Sequence, residues 1–460
     1  MDKLVKLMTD ISKLWEHYAG SYFTGLQNTL ILAVAATLAG CIIGLVCGVL
    51  NTIPYTRNDN IVKRFFLKLI RALVRVYVEV FRGTPMVLQA VFIYYGLGYN
   101  NLSGNLRTNL MDMCKGILPA KSREKAILAF SHNTATYGDY STDNPPVLMR
   151  IHRAEGIATI DTIKVYDDMK ISASAASMTR VLTDIKEMFP SRRYGFLISS
   201  HGTGWVPQDY NTSSAGASLC SADGTPYPLT KAIGSQYEGS YRNNHDMDIR
   251  EFADAFPMKM DYIIFDACLM GGIEVAWELK DVCDRLVFSP AEILSHGMIY
   301  DNLSWNFLSG DEADLETFCR EYHEYYSAQS GQQQSGTISL VECSRLDKLG
   351  DVYAGILSAH RDGLATIDKS KVQRYFYDSK NWYYDFRDIA VEIGSSESEL
   401  KALDEALAEC VVYHAETDYF FDLKLQDCSG LSMYLEDFRR PQLNSYYKTL
   451  AWNRFSGLVE

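Results

Sequence analysis

Short apolar runs alternate with amphipathic stretches along most of the chain after residue 100. Runs rich in β-branched and aromatic residues predict strands at 125–131, 162–166, 194–200, 261–267, 285–290 and 336–342. Apolar residues at helical spacing predict helices near 102–118, 174–189, 247–256 and 272–283. Strands that alternate with helices are typical of an α/β fold with a mainly parallel sheet. We therefore predict one such domain over residues 99–460, with a helical, tyrosine-rich part from about residue 347.

The first hundred residues follow a different pattern. Residues 26–50 form a run of 25 without a charge, which is long enough to cross a bilayer as a helix. A basic segment follows, and then a shorter apolar run at 85–98. The positive-inside rule places the basic segment in the cytoplasm and the rest of the chain on the periplasmic or extracellular side. We expect membrane-spanning segments near 26–50 and 85–98.

The first apolar run also contains LAGC, residues 38–41, which matches the cleavage box of a lipoprotein. Residues IIGLVCGVL continue the apolar run from that point, whereas a lipid-modified cysteine is normally followed by polar residues. A lipoprotein anchor is therefore an alternative to a transmembrane anchor. Either anchor delivers the remainder of the chain to the far side of a membrane.

Two motifs in this region, GLQNTLILA at 25–33 and YVEVFRGTPMVLQAVFIYYGL at 77–97, resemble the permease subunits of polar amino-acid ABC transporters. The further spans of such permeases, and the EAA-type loop that grips the ATPase, are not found in the sequence. Residues 1–98 therefore resemble a partial permease, and a transport component is an alternative function. The permease-like pattern ends near residues 96–100, where a different pattern begins. A natural gene fusion or an artificial joining of two genes would both produce such a boundary.

Composition narrows the function classes. The chain is 47% hydrophobic and 22% charged, as expected of a folded protein, and its net charge of -13 argues against nucleic acid as a partner. The ten cysteines form no CxxC pair or Cys/His cluster, so a zinc site is not predicted. No EF-hand loop is present. We predict no metal and no required cofactor, and the sequence leaves any calcium dependence open.

Candidate chemistry lies where two predicted strands end. The strand at 194–200 is followed by His201, and the strand at 261–267 is followed by Cys268. Reactive groups of an open parallel sheet gather at the carboxyl ends of its strands. If these two strands are neighbours, about 4.8 Å apart, the imidazole and the thiol stand side by side. The pattern predicts a Cys/His dyad.

Each residue of this group has a chemical role. The thiolate of Cys268 is the nucleophile, and a helix that follows it would lower the thiol pKa. His201 can protonate the leaving amine, and the N–H groups of Gly202 and Cys268 can form an oxyanion hole. Asp266 lies on the same face of its strand as Cys268 and is predicted to form the floor of a substrate pocket.

The segments LISSHGTGW, at 197–205, and IIFDACLMGGIEVAWELKD, at 263–281, resemble the His and Cys motifs of the clostripain family of cysteine peptidases. The resemblance runs from about residue 100 to the end and implies a caspase-like αβα sandwich. It further implies that His201 and Cys268 are catalytic and that Asp266 recognises Arg or Lys at P1. Glu292, after the next strand, is a candidate to assist Asp266.

Members of that family commonly cut themselves between the His and Cys motifs. Residues 208–244 form a polar stretch rich in Gly and Ser, which is typical of an exposed loop that proteases can reach. Self-cleavage between Lys231 and Ala232 is our prediction, with an uncut loop as the alternative. Overall we predict a membrane-tethered or exported endopeptidase for protein or peptide substrates. The alternatives are a transport component and an inactive caspase-like binding module.

Overall fold

The computed structural model describes residues 88–98, 100, 102–121, 124–133, 144–207, 234, 236–238, 240–376, 382–426 and 428–460. The predicted membrane span at 26–50, with its LAGC box, lies outside these residues. Within the described ranges, no helix has the length and apolar character needed to cross a membrane. The segment from Met86 to Glu460 forms one compact unit.

The strands are β1 (Ala90–Gly98), β2 (Lys125–Asn133), β3 (Val147–Ala154), β4 (Ile157–Val165), β5 (Tyr194–Ser199), β6 (Gln236–Glu238), β7 (Ser240–His245), β8 (Met260–Asp266), β9 (Cys283–Phe288), β10 (Thr337–Glu342), β11 (Tyr384–Asp385), β12 (Val411–Glu416), β13 (Tyr419–Phe420), β14 (Leu423–Lys424) and β15 (Ser432–Met433). All six predicted strands are confirmed. Five of them begin and end within two residues of the predicted bounds; the sixth, predicted at 162–166, is the longer β4, which begins at Ile157.

The α-helices are α1 (Ser103–Met113), α2 (Ala175–Met188), α3 (Ile249–Asp254), α4 (Ile273–Leu279), α5 (Leu303–Leu308), α6 (Leu315–Ser327), α7 (Leu346–Ala359), α8 (Arg361–Thr366), α9 (Phe386–Glu392), α10 (Glu397–Cys410), α11 (Pro441–Tyr447) and α12 (Ala451–Ser456). Short 3-10 helices occur at Gly331–Gln333 and Cys343–Arg345. The four predicted helices correspond to α1, α2, α3 and α4, so the alternation of strands and helices is confirmed.

A nine-stranded sheet in the order β12-β10-β9-β8-β5-β1-β2-β3-β4 forms the centre of the fold. Its middle strands, from β9 to β2, are parallel to one another, and antiparallel pairs close both edges. Every residue of β5 is buried. Continuous burial is expected of parallel strands covered on both faces, and it explains their unbroken apolar sequences. The predicted α/β fold with a mainly parallel sheet is confirmed.

Strand β1 corrects the prediction for 85–98. Residues Ala90–Gly98 are a strand between β5 and β2, not a membrane-spanning segment. The apolar run exists because β1 is central: Phe92 and Ile93 are fully buried, with strands on both sides. A buried parallel strand and a membrane segment both select uninterrupted apolar residues. The predicted boundary at residue 98 is therefore wrong, because β1 belongs to the same unit as the rest of the sheet.

Helix α2 shows how the sheet is covered. Its N-cap, Ser174, accepts a hydrogen bond from the Ser177 N–H, which satisfies one free amide of the first turn. The residues of α2 that face the core recur at helical spacing and are Met178, Val181, Leu182 and Ile185. The part after residue 347 contains helices α8 to α12 and most of α7, and it also supplies β12, an edge strand of the main sheet.

Candidate active site

The two candidate turns lie side by side because β5 and β8 are adjacent and parallel. Their register pairs Ser199 with Asp266, so His201 and Cys268 each stand two residues beyond a matched pair. The Ser200 N–H donates to the Asp266 carbonyl at 3.4 Å and continues the ladder past the strand ends. The condition on which the predicted dyad depends, that these two strands are neighbours, is met. We name residues 200–207 the His201 turn and residues 267–272 the Cys268 turn.

Gly202 brings the main chains of the two turns into contact. A side chain at this position would begin 2.5 Å from the Cys268 carbonyl oxygen and 3.1 Å from the Cys268 amide nitrogen. Gly204 has φ of +61°, and a side chain there would begin 2.5 Å from the Leu269 carbonyl oxygen. Only glycine fits both positions, because these distances are shorter than van der Waals contact.

The Cys268 turn is fixed mainly by hydrogen bonds to the loop after β9. The Cys268 Sγ accepts from the Ile293 N–H at 3.2 Å and lies 3.5 Å from the Ile293 carbonyl oxygen. Leu269 has φ of +60°, which is unusual for a residue with a side chain, and its N–H donates to the Ala291 carbonyl at 2.8 Å. Helix α4 begins only at Ile273, so the thiol is farther from a helix N-terminus than predicted.

Both candidate catalytic residues are covered in this structure. Cys268 is 1% exposed and His201 is 3% exposed. Tyr383 lies beside them: its O–H donates to the Thr203 carbonyl at 2.7 Å. Burial raises the pKa of Tyr383, and the charges of Glu274, Cys268 and Glu292 raise it further. Both residues are therefore enclosed in this structure.

Asp266 is fully buried and accepts two hydrogen bonds from hydroxyl groups. Ser199 Oγ donates to its Oδ2 at 2.5 Å, and the O–H of Tyr300 donates to the same oxygen at 2.6 Å. Burial and the nearby Asp266 carboxylate raise the pKa of Tyr300 and of Tyr94. The predicted pocket floor is thus a carboxylate that hydroxyl groups surround. The sequence analysis missed Tyr300, because it lies in an irregular loop. Ser199 could have been found, because it stands two residues before His201, just as Asp266 stands two residues before Cys268.

Glu292 lies in the loop after β9 and is 7% exposed. The next residue, Ile293, supplies the main-chain groups that contact Cys268 Sγ. Glu292 also contributes to the raised pKa of Tyr383, after burial and other charges. The structure therefore brings Glu292 to the Cys268 side of the site.

A buried acid that the sequence analysis missed stands at the start of α4. Glu274 is fully buried, and its Oε1 accepts from the Tyr434 N–H at 2.8 Å and from the Tyr447 O–H at 2.7 Å. Burial raises the pKa of Glu274 to about 7. Glu274 follows Gly272 in the GIEVAWEL helix, where a charged residue is normally expected on the solvent face.

The C-terminal part of the chain supports both turns. The ring of Trp205 packs against Tyr434 at 4.8 Å and against Tyr447 at 4.9 Å between centroids. The Ser432 N–H donates to the Gly271 carbonyl at 2.8 Å. These contacts connect β15 and α11 to the site, although both lie far from it in sequence.

The predicted self-cleavage residues, Lys231 and Ala232, lie outside the described residues. No group of His, Cys, Asp and Glu with the geometry of a metal site occurs among the residues that are described.

A sequence profile described as the clostripain family, peptidase C11, matches residues 95–457. Two X-ray structures of similar fold are 25% identical to the chain, and each covers 81% of it. The first, with a TM-score of 0.66 and 99% of its own chain covered, is an inactive zymogen C11 protease from Parabacteroides distasonis. The second, with a TM-score of 0.65 and 100% of its chain covered, is a secreted C11 cysteine protease from Bacteroides thetaiotaomicron.

A third structure shows likeness of fold alone, at 20% identity and a TM-score of 0.64, covering 80% of this chain and 98% of its own. It is a secreted C11 cysteine protease from Bacteroides thetaiotaomicron in complex with an irreversible peptide inhibitor. No curated protein matches the sequence. None of these findings supports the permease resemblance of residues 1–98, and the family match begins inside that segment.

Proposed function

The chain belongs to the clostripain family of C11 cysteine peptidases, and on that premise we propose that it is an endopeptidase that cleaves after Arg or Lys. In this proposal Cys268 is the nucleophile and His201 its acid–base partner. The observation that carries it is the contact of the two turns: Ser199 pairs with Asp266, and Gly202 packs on the Cys268 main chain.

Catalysis proceeds in two steps. The Cys268 thiolate attacks the scissile carbonyl carbon, and the N–H groups of Gly202 and Cys268 hydrogen-bond the oxyanion that forms. His201 donates a proton to the leaving amine, which departs as the new N-terminus and leaves an acyl-enzyme. Water, deprotonated by His201, then attacks the thioester, and the thiolate leaves with the carboxyl product released. Thiol and imidazole supply all of the chemistry of these two steps.

Asp266 supplies the preference for a basic P1 side chain. A substrate with a neutral P1 side chain would leave the buried Asp266 carboxylate without a compensating positive charge. Binding of such a substrate is therefore unfavourable. Glu292 is the candidate to assist, because it lies beside the same turn. Asp266→Asn is expected to abolish cleavage after basic residues, whereas Glu292→Gln reduces it by a smaller factor.

Self-cleavage between Lys231 and Ala232 is proposed as the activating step. Its support is the enclosure of Cys268 and His201, together with the description of one similar structure as an inactive zymogen. The cut would separate the polypeptide that carries His201 from the one that carries Cys268. Lys231→Ala is expected to leave an uncut and inactive chain, and rapid activity without any cut would contradict this step.

Export is proposed because one similar structure is that of a secreted protease. Residues 26–50 remain our proposed anchor, with the peptidase on the periplasmic or extracellular side. Protease treatment of cells whose outer envelope has been removed should digest the peptidase while cytoplasmic markers survive. Release of the protein by high salt would contradict the anchor.

The decisive experiment uses the full chain and peptides with Arg or Lys linked to aminomethylcoumarin. Cys268→Ala is expected to reduce hydrolysis by at least about 10⁴-fold, and His201→Ala by a comparable factor. Cys114→Ala, a partly exposed cysteine after α1, serves as the control that retains activity. Full activity in Cys268→Ala would remove the proposal, and an unreactive wild type after processing would favour a binding module.

A further inference from the structure

Two hydroxyl groups converge on one oxygen of the buried Asp266 carboxylate. Ser199 Oγ and the Tyr300 O–H both donate to Oδ2, at 2.5 and 2.6 Å. Ser199 ends β5, whereas Tyr300 lies in the loop between β9 and α5. A carboxylate oxygen accepts about two hydrogen bonds. Oδ2 is therefore saturated by groups of the protein itself.

Tyr300 is fixed in place by other tyrosines. Its ring meets that of Tyr94 edge-on, with 5.8 Å between centroids. The loop that carries it is anchored by Tyr326, whose O–H donates to the Gly297 carbonyl at 2.8 Å and whose ring packs on Tyr322 at 4.7 Å. All four tyrosines are buried. An incoming side chain cannot push the Tyr300 hydroxyl aside without disturbing this packing.

Arg and Lys make different demands on a carboxylate. A guanidinium forms two parallel hydrogen bonds, one to each oxygen, whereas an ammonium is a point charge that binds through one oxygen. With Oδ2 saturated, the guanidinium loses one bond of its pair, and the ammonium loses nothing. We propose that the pocket built on Asp266 selects Lys over Arg at P1, and that Tyr300 sets this preference.

The inference rests on the proposed function, because it presupposes cleavage after a basic residue. Its expected size is that of one charge-assisted hydrogen bond, which corresponds to roughly a tenfold to hundredfold ratio of kcat/KM for Lys over Arg. The opposing physical effect is stacking of a guanidinium on tyrosine faces, which favours Arg. The two effects predict opposite ratios, so a measurement separates them.

The test compares two peptides that differ only in P1, Lys or Arg, each linked to aminomethylcoumarin, on processed full-length enzyme. Tyr300→Phe removes the hydroxyl and keeps the ring against Tyr94. Tyr353→Phe is the matched control: it removes a buried hydroxyl that donates to the Phe386 carbonyl at 2.8 Å, away from Asp266. Because both substrates are measured on one preparation, the Lys/Arg ratio is independent of the fraction of enzyme that is folded.

Wild type is expected to cleave the Lys peptide with the higher kcat/KM. Tyr300→Phe is expected to lower the Lys/Arg ratio of kcat/KM about tenfold, because cleavage of the Arg peptide improves. Tyr353→Phe is expected to leave that ratio within about twofold of wild type. Ser199→Ala tests the second donor, with a shift in the same direction, should Tyr300→Phe fail to fold. Equal rates or an Arg preference in wild type would overturn the inference alone. So would an unchanged ratio in Tyr300→Phe or, in its place, in Ser199→Ala. Turnover of neither substrate would overturn the proposed function and this inference together.

Discussion

The His201 turn and the Cys268 turn follow equivalent positions of adjacent strands, yet different forces fix them. The Cys268 turn is bound by main-chain hydrogen bonds, which join Leu269 to Ala291 and Gly271 to Ser289 in the loop after β9 and to Ser432 in β15. The His201 turn is covered by aromatic side chains of the C-terminal part, which contact it through Trp205 and through the Tyr383 hydroxyl. The Cys268 turn is therefore held mainly by main-chain hydrogen bonds, and the His201 turn mainly by side chains contributed from distant sequence.

This difference has a consequence for regulation. The main-chain hydrogen bonds of the Cys268 turn directly extend two neighbouring strands of the sheet, whereas packed side chains can move as the elements that carry them move. We therefore expect the position of Cys268 to be nearly constant between inactive and active states. The surroundings of His201 are the part that activation rearranges.

Among changes that keep the side chains of Cys268 and His201, the largest effect is expected for Gly202→Ala, because a side chain at residue 202 would meet the Cys268 main chain. The new methyl group would begin 2.5 Å from the Cys268 carbonyl, so the turns must separate. Displacement of about 1 Å costs on the order of 10²-fold in rate, and overpacking about 1–3 kcal/mol of stability. Peptide hydrolysis and thermal unfolding measure both. Gly355→Ala, at an open helical position of α7, is the control. Wild-type activity in Gly202→Ala would show that the turns are not in firm contact.

Glu274, close to the Cys268 turn, accepts hydrogen bonds from Tyr434 and Tyr447 of the C-terminal part, so its substitution measures how much this contact contributes to stability. Its pKa is raised from 4.5 to about 7, so the folded protein binds a proton that the unfolded chain has released. Stability should therefore fall as pH rises from about 4.5 to about 7, by up to about 3 kcal/mol. Glu274→Gln is expected to remove this component from denaturant midpoints measured across that range.

The exposed Glu405→Gln is the control for that measurement and should follow wild type. A slope remains in Glu274→Gln because burial also raises the pKa of Asp385, to about 6, with the same sign. Identical pH profiles for Glu274→Gln and wild type would contradict the assignment of a buried proton to Glu274.

The smallest effect is expected for Tyr383→Phe, which tests whether side chains hold the His201 turn independently of the Cys268 turn. The variant loses one hydrogen bond to the Thr203 carbonyl and keeps the ring, so about 1 kcal/mol of stability is expected to be lost. Hydrogen exchange should rise at residues 203–206 and stay unchanged at residues 268–271. Equal loosening of both turns would show that the two are held by one common set of contacts.

The sequence predicted those parts of the molecule whose pattern is local. Strands β5 and β8 are apolar runs that end before His201 and Cys268, and reactive groups of a parallel sheet gather at the carboxyl ends of its strands. The adjacency of the two strands was a condition of the prediction, and the structure supplies it. Tyr300 and Glu274 were not predictable in this way. Tyr300 lies in a loop without periodicity, and the burial of Glu274 depends on Tyr434 and Tyr447, which are far away in sequence.

Strand β1 also limits where the chain can be shortened. It separates β5 from β2 in the sheet, so a fragment starting at residue 100 would keep the resembling His and Cys motifs and still lose the middle of its sheet. The remaining strands would present two unpaired apolar edges, which is a recognised cause of aggregation. A fragment starting at Met86 retains the strand. Genetic exchange that preserves a working peptidase must therefore join sequences ahead of this strand, within or before the part that resembles a permease.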